Sequence, residues 1–445
     1  MIMNRLKLSL SLVSILLLIP LSGTGLAQIA QTVTISSSPN PVGSGARALG
    51  MGGAFIGVAD DATAASWNPA GLIQLETPEI SIVGAYNHRT EDTTYIAYPD
   101  ASGAQRVSTF EINYFSLAYP FTLLDKNMIV SLNYQHLYDF NKKVGFSFKQ
   151  SSPALNLDNR IEFEQEGALR TVSPAFAVQI TPRLSMGFTL NFWNDPLDDN
   201  AWESIQHLTG KGMFTIFPLA VRADIKDRYE MKGFNYHLGF LWNMNSTFTL
   251  GGVFKAPFSA EIEYDHEFAE YITYPTLQGY DVVFKKHTSE AQTLDMPMSY
   301  GLGLAMRLSD VLTLDADIYR TEWGDYVLHR ADGSEWNPIT GAGQSESNIG
   351  ATTQIRLGGE YLFILEKMIV PIRAGIFYDP EPAEENPDVF WGISLGSGIV
   401  YKGIVADIAY QYRFGKDVRT ATVGGADSRQ DVDQHTVYVS FIYHF

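Results

Sequence analysis

The chain of 445 residues contains no cysteine and carries a formal net charge of −18, with 31 Lys and Arg against 49 Asp and Glu. The absence of cysteine excludes a disulfide framework, thiolate catalysis and anchoring through a lipidated N-terminal Cys. The acidic balance has the wrong sign for a protein that binds nucleic acid.

The first residues have the pattern of a secretory signal peptide. Arg5 and Lys7 precede an apolar run over residues 8–18, and small residues suitable for cleavage follow. The alternative is a helix that stays in the inner membrane, but a spanning helix needs about 20 apolar residues and this run is shorter. We therefore expect residues 1–27 to be a signal peptide and the exported protein to begin near residue 28.

The next distinctive stretch is residues 45–72, which read GARALGMGGAFIGVADDATAASWNPAGL. Gly50, Gly52 and Gly53 allow close packing of backbone against backbone, because a residue without Cβ tolerates positive φ and near contact. This small, apolar composition suits neither a helical core nor a linker. It predicts a compact plug.

Capping residues punctuate this stretch. Asp60 and Asp61 stand before a short Ala/Thr run, where carboxylates accept hydrogen bonds from the N–H groups of a first helical turn. Asn68, Pro69 and Ala70 repeat the pattern, with Asn as N-cap and Pro preorganised for the first helical position. A capped turn in a soluble protein is the alternative interpretation of these residues alone.

Fourteen runs of about ten residues with period-two alternation follow, which is the length and pattern of strands that span a bilayer. In the last run, Val437, Val439 and Phe441 share one face while Thr436 and Ser440 share the other. The runs lie near residues 79–88, 110–119, 127–139, 169–180, 184–194, 233–243, 246–255, 298–307, 311–321, 354–362, 368–377, 392–401, 403–413 and 434–445.

The connections between these runs alternate between long and short. Those after odd-numbered runs are long, such as 256–297, and those after even-numbered runs shrink to pairs such as Met244-Asn245 or Lys402-Gly403. Outer-membrane barrels have short periplasmic turns and long extracellular loops. The sequence therefore predicts an all-β fold, a 14-stranded antiparallel transmembrane β-barrel with both ends in the periplasm.

A secreted β-sandwich is the alternative fold, since period-two strands alone would suit it. Aromatic residues at the ends of the runs favour the barrel, because they are expected to form interfacial girdles. The terminal Phe445 also resembles an aromatic signal for barrel assembly. The predicted girdle residues are Tyr86, Tyr119, Phe121, Tyr138, Phe140, Trp193, Trp242, Tyr300, Trp323, Phe377, Tyr378, Trp391 and Phe414.

The pattern MGGAF…ADDA…WNPAGL resembles the N-terminal hatch of the FadL family of outer-membrane long-chain fatty acid transporters, whose Asn-Pro-Ala motif matches Asn68, Pro69 and Ala70. Looser similarities run to the C-terminus. The resemblance implies a hatch over residues 28–78 inside a barrel over residues 79–445, and uptake of fatty acids or similar hydrophobic compounds gated by that hatch. The same superfamily includes aromatic hydrocarbon channels and a component of type IX secretion, so a secretion adaptor is the alternative function.

Further expectations concern a lateral exit and the third long connection. Pro174 removes an N–H in the middle of the fourth run and is expected to produce a bulge or kink through which a ligand leaves sideways. In the family the kinked strand is normally the third, so a bulge without function is the alternative. The connection 195–232 is predicted to form helices over the barrel mouth, as a loop does in the family, or to remain a solvated loop.

A substrate with a carboxylate would need a cation in the lumen. Arg307, Arg356 and Arg373, with Lys255 at a comparable position, are the candidate ligand-binding residues, because the planar fork of Arg binds a carboxylate bidentately. Structural pairing with lumenal acids is the alternative. The acids available for it are Glu360, Asp315, Asp317 and Asp407.

No constellation in the sequence predicts catalysis, a cofactor or a metal. Gly301-Leu302-Gly303 begins like a dinucleotide fingerprint but lies in a strand pattern, and the nine His show no metal-binding spacing. A hydrolase is the alternative class, because only spatial proximity would reveal its residues. The partners expected are outer-membrane lipid and lipopolysaccharide and a hydrophobic small molecule, with no nucleic acid, and the chain is expected to be a monomer in the outer membrane of a Gram-negative bacterium.

Overall fold

The computed structural model describes residues 43–96, 99–194, 200–277, 279–419 and 428–445. The predicted signal peptide and the first part of the predicted hatch, residues 28–42, lie outside the described residues. No helix in the described ranges is long and apolar enough to cross a membrane.

The described residues form short helices near the N-terminus and long strands throughout the rest. The helices are α1 Ala46–Gly50, α2 Ala64–Trp67 and the 3₁₀ helices Pro69–Gln74, Pro99–Ala101, Trp323–Asp325 and Gln344–Glu346. The strands are β1 Glu79–Tyr95, β2 Gly103–Leu123, β3 Lys126–Asp139, β4 Lys142–Ser151, β5 Leu155–Thr181, β6 Leu184–Phe192, β7 Ala201–Phe214, β8 Phe217–Lys232, β9 Phe234–Asn243, β10 Phe248–Lys255, β11 Phe258–Thr273, β12 Val282–Met296, β13 Ser299–Ser309, β14 Leu312–Thr321, β15 Val327–His329, β16 Glu335–Trp336, β17 Thr352–Ile364, β18 Ile369–Tyr378, β19 Phe390–Tyr401, β20 Ile404–Arg419 and β21 Ser428–His444.

Fourteen of these strands close into an antiparallel barrel. Each pairs with the next in the order β1, β2, β3, β5, β6, β9, β10, β13, β14, β17, β18, β19, β20 and β21, and β21 pairs back with β1. Closure gives each of these strands a partner on both sides, as strands in a membrane require. The predicted fold and strand count are confirmed, and every predicted run overlaps one of these strands and extends at most two residues beyond it.

The alternation of side chains separates the lipid-facing surface from the lumen. In β19, Ile393 and Leu395 are 51% and 62% exposed, whereas Ser394 between them is 2% exposed. Apolar side chains therefore cover the outside of the wall at this level, and small or polar side chains face inward.

Only part of the predicted aromatic girdle faces outward. Five of the named aromatics are among the exposed large side chains, namely Tyr86, Tyr119, Trp242, Tyr300 and Trp391. Five others are buried inside the molecule, which corrects the sequence-based prediction: Tyr138, Phe140, Trp193, Trp323 and Phe377. The prediction was wrong for these because a strand end carries both inward and outward positions, and the sequence alone does not show which one an aromatic residue occupies.

The strands continue beyond the barrel on the side of the long connections. β5 belongs to two sheets: residues 155–167 pair with β7, whereas residues 168–178 pair with β3. The extension continues in the order β4, β5, β7, β8, β11, β12, β15 and β16. We call it the extracellular sheet.

The third long connection is therefore not helical. Its described part forms β7 and β8, which pair with each other from Ala201↔Glu230 to Phe214↔Phe217. β7 buries alternate residues such as Trp202 and Leu208. The helical prediction was wrong because the protruding edge of β5 supplies partners for the backbone groups of β7, and strand pairing satisfies them.

The segment before β1 fills the barrel interior. We call residues 43–77 the hatch segment. α1 contacts β18 to β21 on one side of the wall, and the first 3₁₀ helix contacts β3, β5, β6 and β9 on the other. Leu49, Phe55 and Leu72 are at most 1% exposed. They pack in one apolar cluster with wall residues such as Ile129 and Ala177.

Candidate functional site in the barrel lumen

Glycines in the barrel wall form the grooves in which the hatch segment lies. A Cβ on Gly375 would lie 2.2 Å from the backbone nitrogen of Gly52, and one on Gly187 would lie 2.6 Å from the carbonyl carbon of Pro69. Gly52 itself has a φ of +71°, a conformation that L residues with side chains rarely adopt. The wall glycines that approach the hatch segment in this way are Gly187, Gly239, Gly251, Gly303, Gly358, Gly375 and Gly396.

Asn68 joins the two halves of the hatch segment and attaches them to the wall. Its side-chain oxygen accepts a hydrogen bond from the Ala70 amide at 3.2 Å, which caps the 3₁₀ helix that begins at Pro69. Its amide nitrogen donates to the carbonyl oxygens of Ile56 at 3.0 Å and Phe240 at 2.9 Å. One fully buried side chain therefore makes a cap, a contact within the hatch segment and a contact with β9.

The two adjacent aspartates have different partners. Asp61 accepts from the Thr63 amide at 2.8 Å and the Thr63 hydroxyl at 2.6 Å, so it orders the turn before α2. Asp60 instead forms an ion pair with Arg47 of α1. The expectation that both carboxylates cap a helix is therefore wrong for Asp60, because the tertiary fold brings Arg47 within reach.

A chain of ion pairs continues from the hatch segment into the wall. Arg47 also binds Glu360 of β17 at 2.9 Å, and Glu360 binds Arg373 of β18 at 2.6 Å. Arg373 then binds Asp407 of β20 at 2.6 Å. Burying such charges is costly unless they pair, and we call this chain from Asp60 to Asp407 the ionic latch.

The three arginines predicted to bind a ligand lie in different places. Arg373 is 3% exposed and is held in the ionic latch. Arg356 donates to the Gly52 carbonyl oxygen at 2.9 Å and lies against the Phe377 ring, between hatch segment and wall. Arg307 is exposed and lines a cavity of about 490 Å³ beside the short Asn245 turn, below the hatch segment.

Above the hatch segment, buried aromatic side chains form a chamber that the sequence analysis missed. Its rings include Tyr138, Trp193, Phe258 and Trp323, and Trp193 stacks on Phe258 with ring centroids 5.3 Å apart. Tyr138, Trp193 and Trp323 belong to a larger cluster of buried apolar residues at the base of the extracellular sheet, and the half-buried Phe258 packs against it. Their inward orientation is the feature that a girdle prediction overlooked.

Lys255 lies at the base of this aromatic chamber. It is 9% exposed, and its ammonium group is 5.4 Å from the centroid of the Tyr319 ring. It lines both the chamber cavity of about 40 Å³ and a cavity of about 20 Å³ that it shares with Trp67 of the hatch segment and with Arg356. A buried cation therefore stands between an aromatic chamber and the hatch segment.

The backbone pairing of β2 and β3 is incomplete. It runs from Leu123↔Lys126 to Tyr114↔Gln135 and stops there, although both strands continue. Beyond this point, side chains connect the two strands. For example, the side-chain amide of Asn113 donates a hydrogen bond to the His136 carbonyl oxygen at 3.4 Å. We call this opening the β2–β3 gap, and a polar cavity of about 140 Å³ lies beside it.

Pro174 does not produce the bulge expected from the sequence. β5 keeps one register with β3 through Leu132↔Pro174 and Asn133↔Ser173. Pairing with β6 is interrupted between Val172↔Phe192 and Ala175↔Thr189, but the register is the same on both sides. The missing N–H of proline removes ladder contacts without adding a residue to the strand.

The fold is thus a closed transmembrane barrel whose lumen is occupied by its own N-terminal segment. The family model described as "Outer membrane protein transport protein (OMPP1/FadL/TodX)" matches residues 26–443, and the chain belongs to this family. It is accordingly a transport protein of the Gram-negative outer membrane and not an enzyme. Among curated proteins, no sequence matches the chain.

Solved structures show the same fold. A FadL homologue from Pseudomonas aeruginosa superposes with a TM-score of 0.60 at 15% identity, covering 91% of this chain and 98% of that one. The toluene transporter TodX from Pseudomonas putida superposes with a TM-score of 0.58 at 16% identity, covering 91% of this chain and 99% of that one. The monoaromatic hydrocarbon channel CymD superposes with a TM-score of 0.52 at 16% identity, covering 91% of this chain and 98% of that one.

Proposed function

We propose that this protein takes up long-chain fatty acids or similar hydrophobic compounds across the outer membrane, with the hatch segment as its gate. The observation that carries the proposal is the aromatic chamber with Lys255 at its base, directly above the hatch segment. Apolar walls with one well-placed polar group are the usual composition of a site for a hydrophobic ligand with a polar end. The toluene and monoaromatic hydrocarbon channels among the solved structures support a hydrophobic substrate.

The size of the cavities supports gating. The cavities of about 40 and 20 Å³ on the two sides of Lys255 hold only a few water molecules. A long ligand therefore needs the hatch segment to move before it passes, and the cavity of about 490 Å³ below it gives the segment room. The ionic latch and Asn68 hold the segment in its resting position.

The β2–β3 gap supports a lateral exit into the membrane. Above Tyr114 and Gln135, β2 and β3 are joined by side chains and not by a backbone ladder. Side-chain contacts open at lower cost than a continuous ladder, so a hydrophobic ligand gains a route that avoids water. An exit beside Pro174 remains a competing prediction, and replacing Pro174 with Val reduces uptake only if that prediction holds.

Mass spectrometry of small molecules retained by the purified protein tests the substrate class. We expect fatty acids or other amphiphiles to co-purify in about equimolar amounts, and the Lys255→Met protein to retain less of any that carry a carboxylate. Purification with a large partner protein and without a small molecule would contradict transport and favour a secretion adaptor.

The gating role of Asn68 has its own test. The Asn68→Ala protein loses the cap, which is worth about 0.5 to 2 kcal/mol, together with both contacts of the side-chain amide. We expect faster leak of small solutes into proteoliposomes and altered ligand uptake. Unchanged leak together with unchanged uptake would contradict the gate.

A further inference from the structure

A cluster of metal-ligating side chains lies beside the β2–β3 gap, away from the aromatic chamber. Glu111 of β2 and His136 and Asp139 of β3 each present one donor atom, and the three atoms lie within 4.8 Å of one another. All three residues line the polar cavity of about 140 Å³. The sequence analysis predicted no metal site because these donors come from two strands.

A β-bulge in β2 brings Glu111 into the cavity. Tyr114 and Ser116 are both at most 1% exposed and face inward. Unbroken alternation from them would direct Glu111 outward, toward lipid. The register against β1 shifts between Val83↔Tyr114 and Gly84↔Ile112, so Asn113 is an extra residue. This shift restores Glu111 to the lumen side, where its side chain is 16% exposed.

A second bulge lies in β3, between His136 and Asp139. The register against β5 shifts between His136↔Arg170 and Tyr138↔Leu169, with Leu137 as the extra residue. Gln135 and His136 are consecutive in the chain, yet they are 5% and 8% exposed. Bulges often re-aim side chains and end strand pairing beside functional sites, and here two of them face one gap.

The hydrogen bonding of His136 is incomplete. Its Nδ1 lies 2.9 Å from Glu111 Oε2, but its Nε2 is buried and has no hydrogen-bond partner among the described residues. A buried polar atom without a partner calls for an explanation, and an ion is one of the standard ones. The side chain of Asp139 is already oriented, since its Oδ1 accepts from the Asn141 amide at 2.7 Å and its Oδ2 from the Thr109 hydroxyl at 3.2 Å.

We propose that Glu111, His136 and Asp139 form a site for a divalent first-row transition metal ion, of which Zn²⁺ is the representative. One imidazole and two carboxylates suit such an ion, and three protein ligands leave a coordination position open. The hydrogen bonds to Asp139 supply the outer contacts that fix a ligating side chain.

The ion joins β2 to β3 where the backbone ladder between them has ended. Binding itself depends only on the three side chains and not on the proposed transport. Its consequence for a lateral exit rests on the proposed function: a bound ion holds the β2–β3 gap closed.

Calorimetric titration of the EDTA-treated, detergent-purified protein with ZnCl₂ tests the site. We expect one Zn²⁺ per chain, and at least about 100-fold weaker binding in the His136→Gln and Glu111→Gln proteins, because loss of an outer contact alone costs about 10- to 100-fold. The control is His266→Gln, whose histidine forms a 2.7 Å pair with Asp227 in the extracellular sheet. This control is expected to bind Zn²⁺ as the unaltered protein does.

Heat-dependent migration on gels first establishes that each variant forms a folded barrel. If His136→Gln fails to fold, Glu111→Gln decides the question. The proposal is overturned if the unaltered protein binds no stoichiometric Zn²⁺. It is equally overturned if the folded variants bind as tightly as the His266→Gln control. Neither result would bear on transport, which the ligand-retention experiment tests separately.

Discussion

Under the proposed function, Lys255 is the residue expected to select for a carboxylate. It is buried below the aromatic chamber, next to the Tyr319 ring. Replacing it with Met keeps the volume of the side chain and removes the charge. Hydrogen bonds to charged groups contribute about 1.5 to 3 kcal/mol. We therefore expect binding of a long-chain fatty acid to weaken about 10- to 100-fold, measured by equilibrium binding to the purified protein.

A neutral alcohol of the same chain length provides the matched ligand, and its binding should not change. Arg307→Met is the matched variant, because Arg307 is exposed below the hatch segment. An equal loss of affinity for the acid and the alcohol would show that Lys255 shapes the chamber and does not bind the head group.

Arg373 is expected to act on stability and not on ligand selectivity. It joins Glu360 to Asp407 in the ionic latch, and all three side chains are at most 5% exposed. Breaking a buried ion pair by removing one partner costs about 3 to 5 kcal/mol. The Arg373→Met protein should lose about that free energy of unfolding in a urea titration in lipid vesicles.

Any loss of ligand binding in the Arg373→Met protein should affect charged and neutral ligands equally, because the arginine has carboxylate partners already. The exposed Arg307→Met variant should change the free energy of unfolding by less than about 0.5 kcal/mol. A selective loss of fatty acid binding would instead support the ligand role considered from the sequence.

At the scale of elements, the fit between the hatch segment and the wall depends on glycine. A Cβ on Gly375 would lie 2.2 Å from the Gly52 nitrogen, so the Gly375→Ala protein cannot seat this part of the hatch segment without a backbone shift. We expect a higher conductance in planar bilayers. Gly84→Ala is the control, because its Cβ would meet nothing nearer than the Phe110 ring at 3.7 Å. Closed channels in both variants would show that closure does not depend on the close fit at Gly375.

The β2–β3 gap makes a second prediction at this scale. The chain has no cysteine, so an introduced pair forms a unique disulfide. Thr109→Cys with Asp139→Cys joins the strands above the end of their ladder, where these two side chains are 3.2 Å apart, whereas Leu117→Cys with Leu132→Cys joins partners that are already paired. Only the first cross-link should block uptake, while ligand binding persists. Uptake that survives it would place the exit elsewhere, for example beside Pro174.

At the scale of the whole molecule, the barrel predicts which surfaces face the outside of the cell. Single cysteines at Ile216 and Tyr280, which are 77% and 51% exposed in long connections, should react with a membrane-impermeant reagent on intact cells. Cysteines at Asn245 and Ser309 in the short turns should not. Reaction at the short turns alone would mean that the hatch segment enters from the other side.

Much of the architecture follows from short stretches of the sequence. Strand length follows from the thickness of the bilayer, and the period of two follows from a wall with lipid on one side. Both are visible in any ten-residue run. For the same reason the lumenal phase of Arg356, Glu360 and Arg373 was predicted correctly. Arg307 keeps the phase of the buried Ala305 and is exposed because it lines the cavity below the hatch segment.

The sequence by itself therefore determined the fourteen strands, the alternation of loops and the capped Asn68 turn, because each depends on neighbouring residues. Tertiary structure alone decided that Trp193 and Trp323 face a chamber, that strand glycines receive the hatch segment, and that Glu111 meets His136. These depend on barrel closure and on bulges, which change the direction of a side chain by adding one residue to a strand. No local pattern records which residue is the extra one.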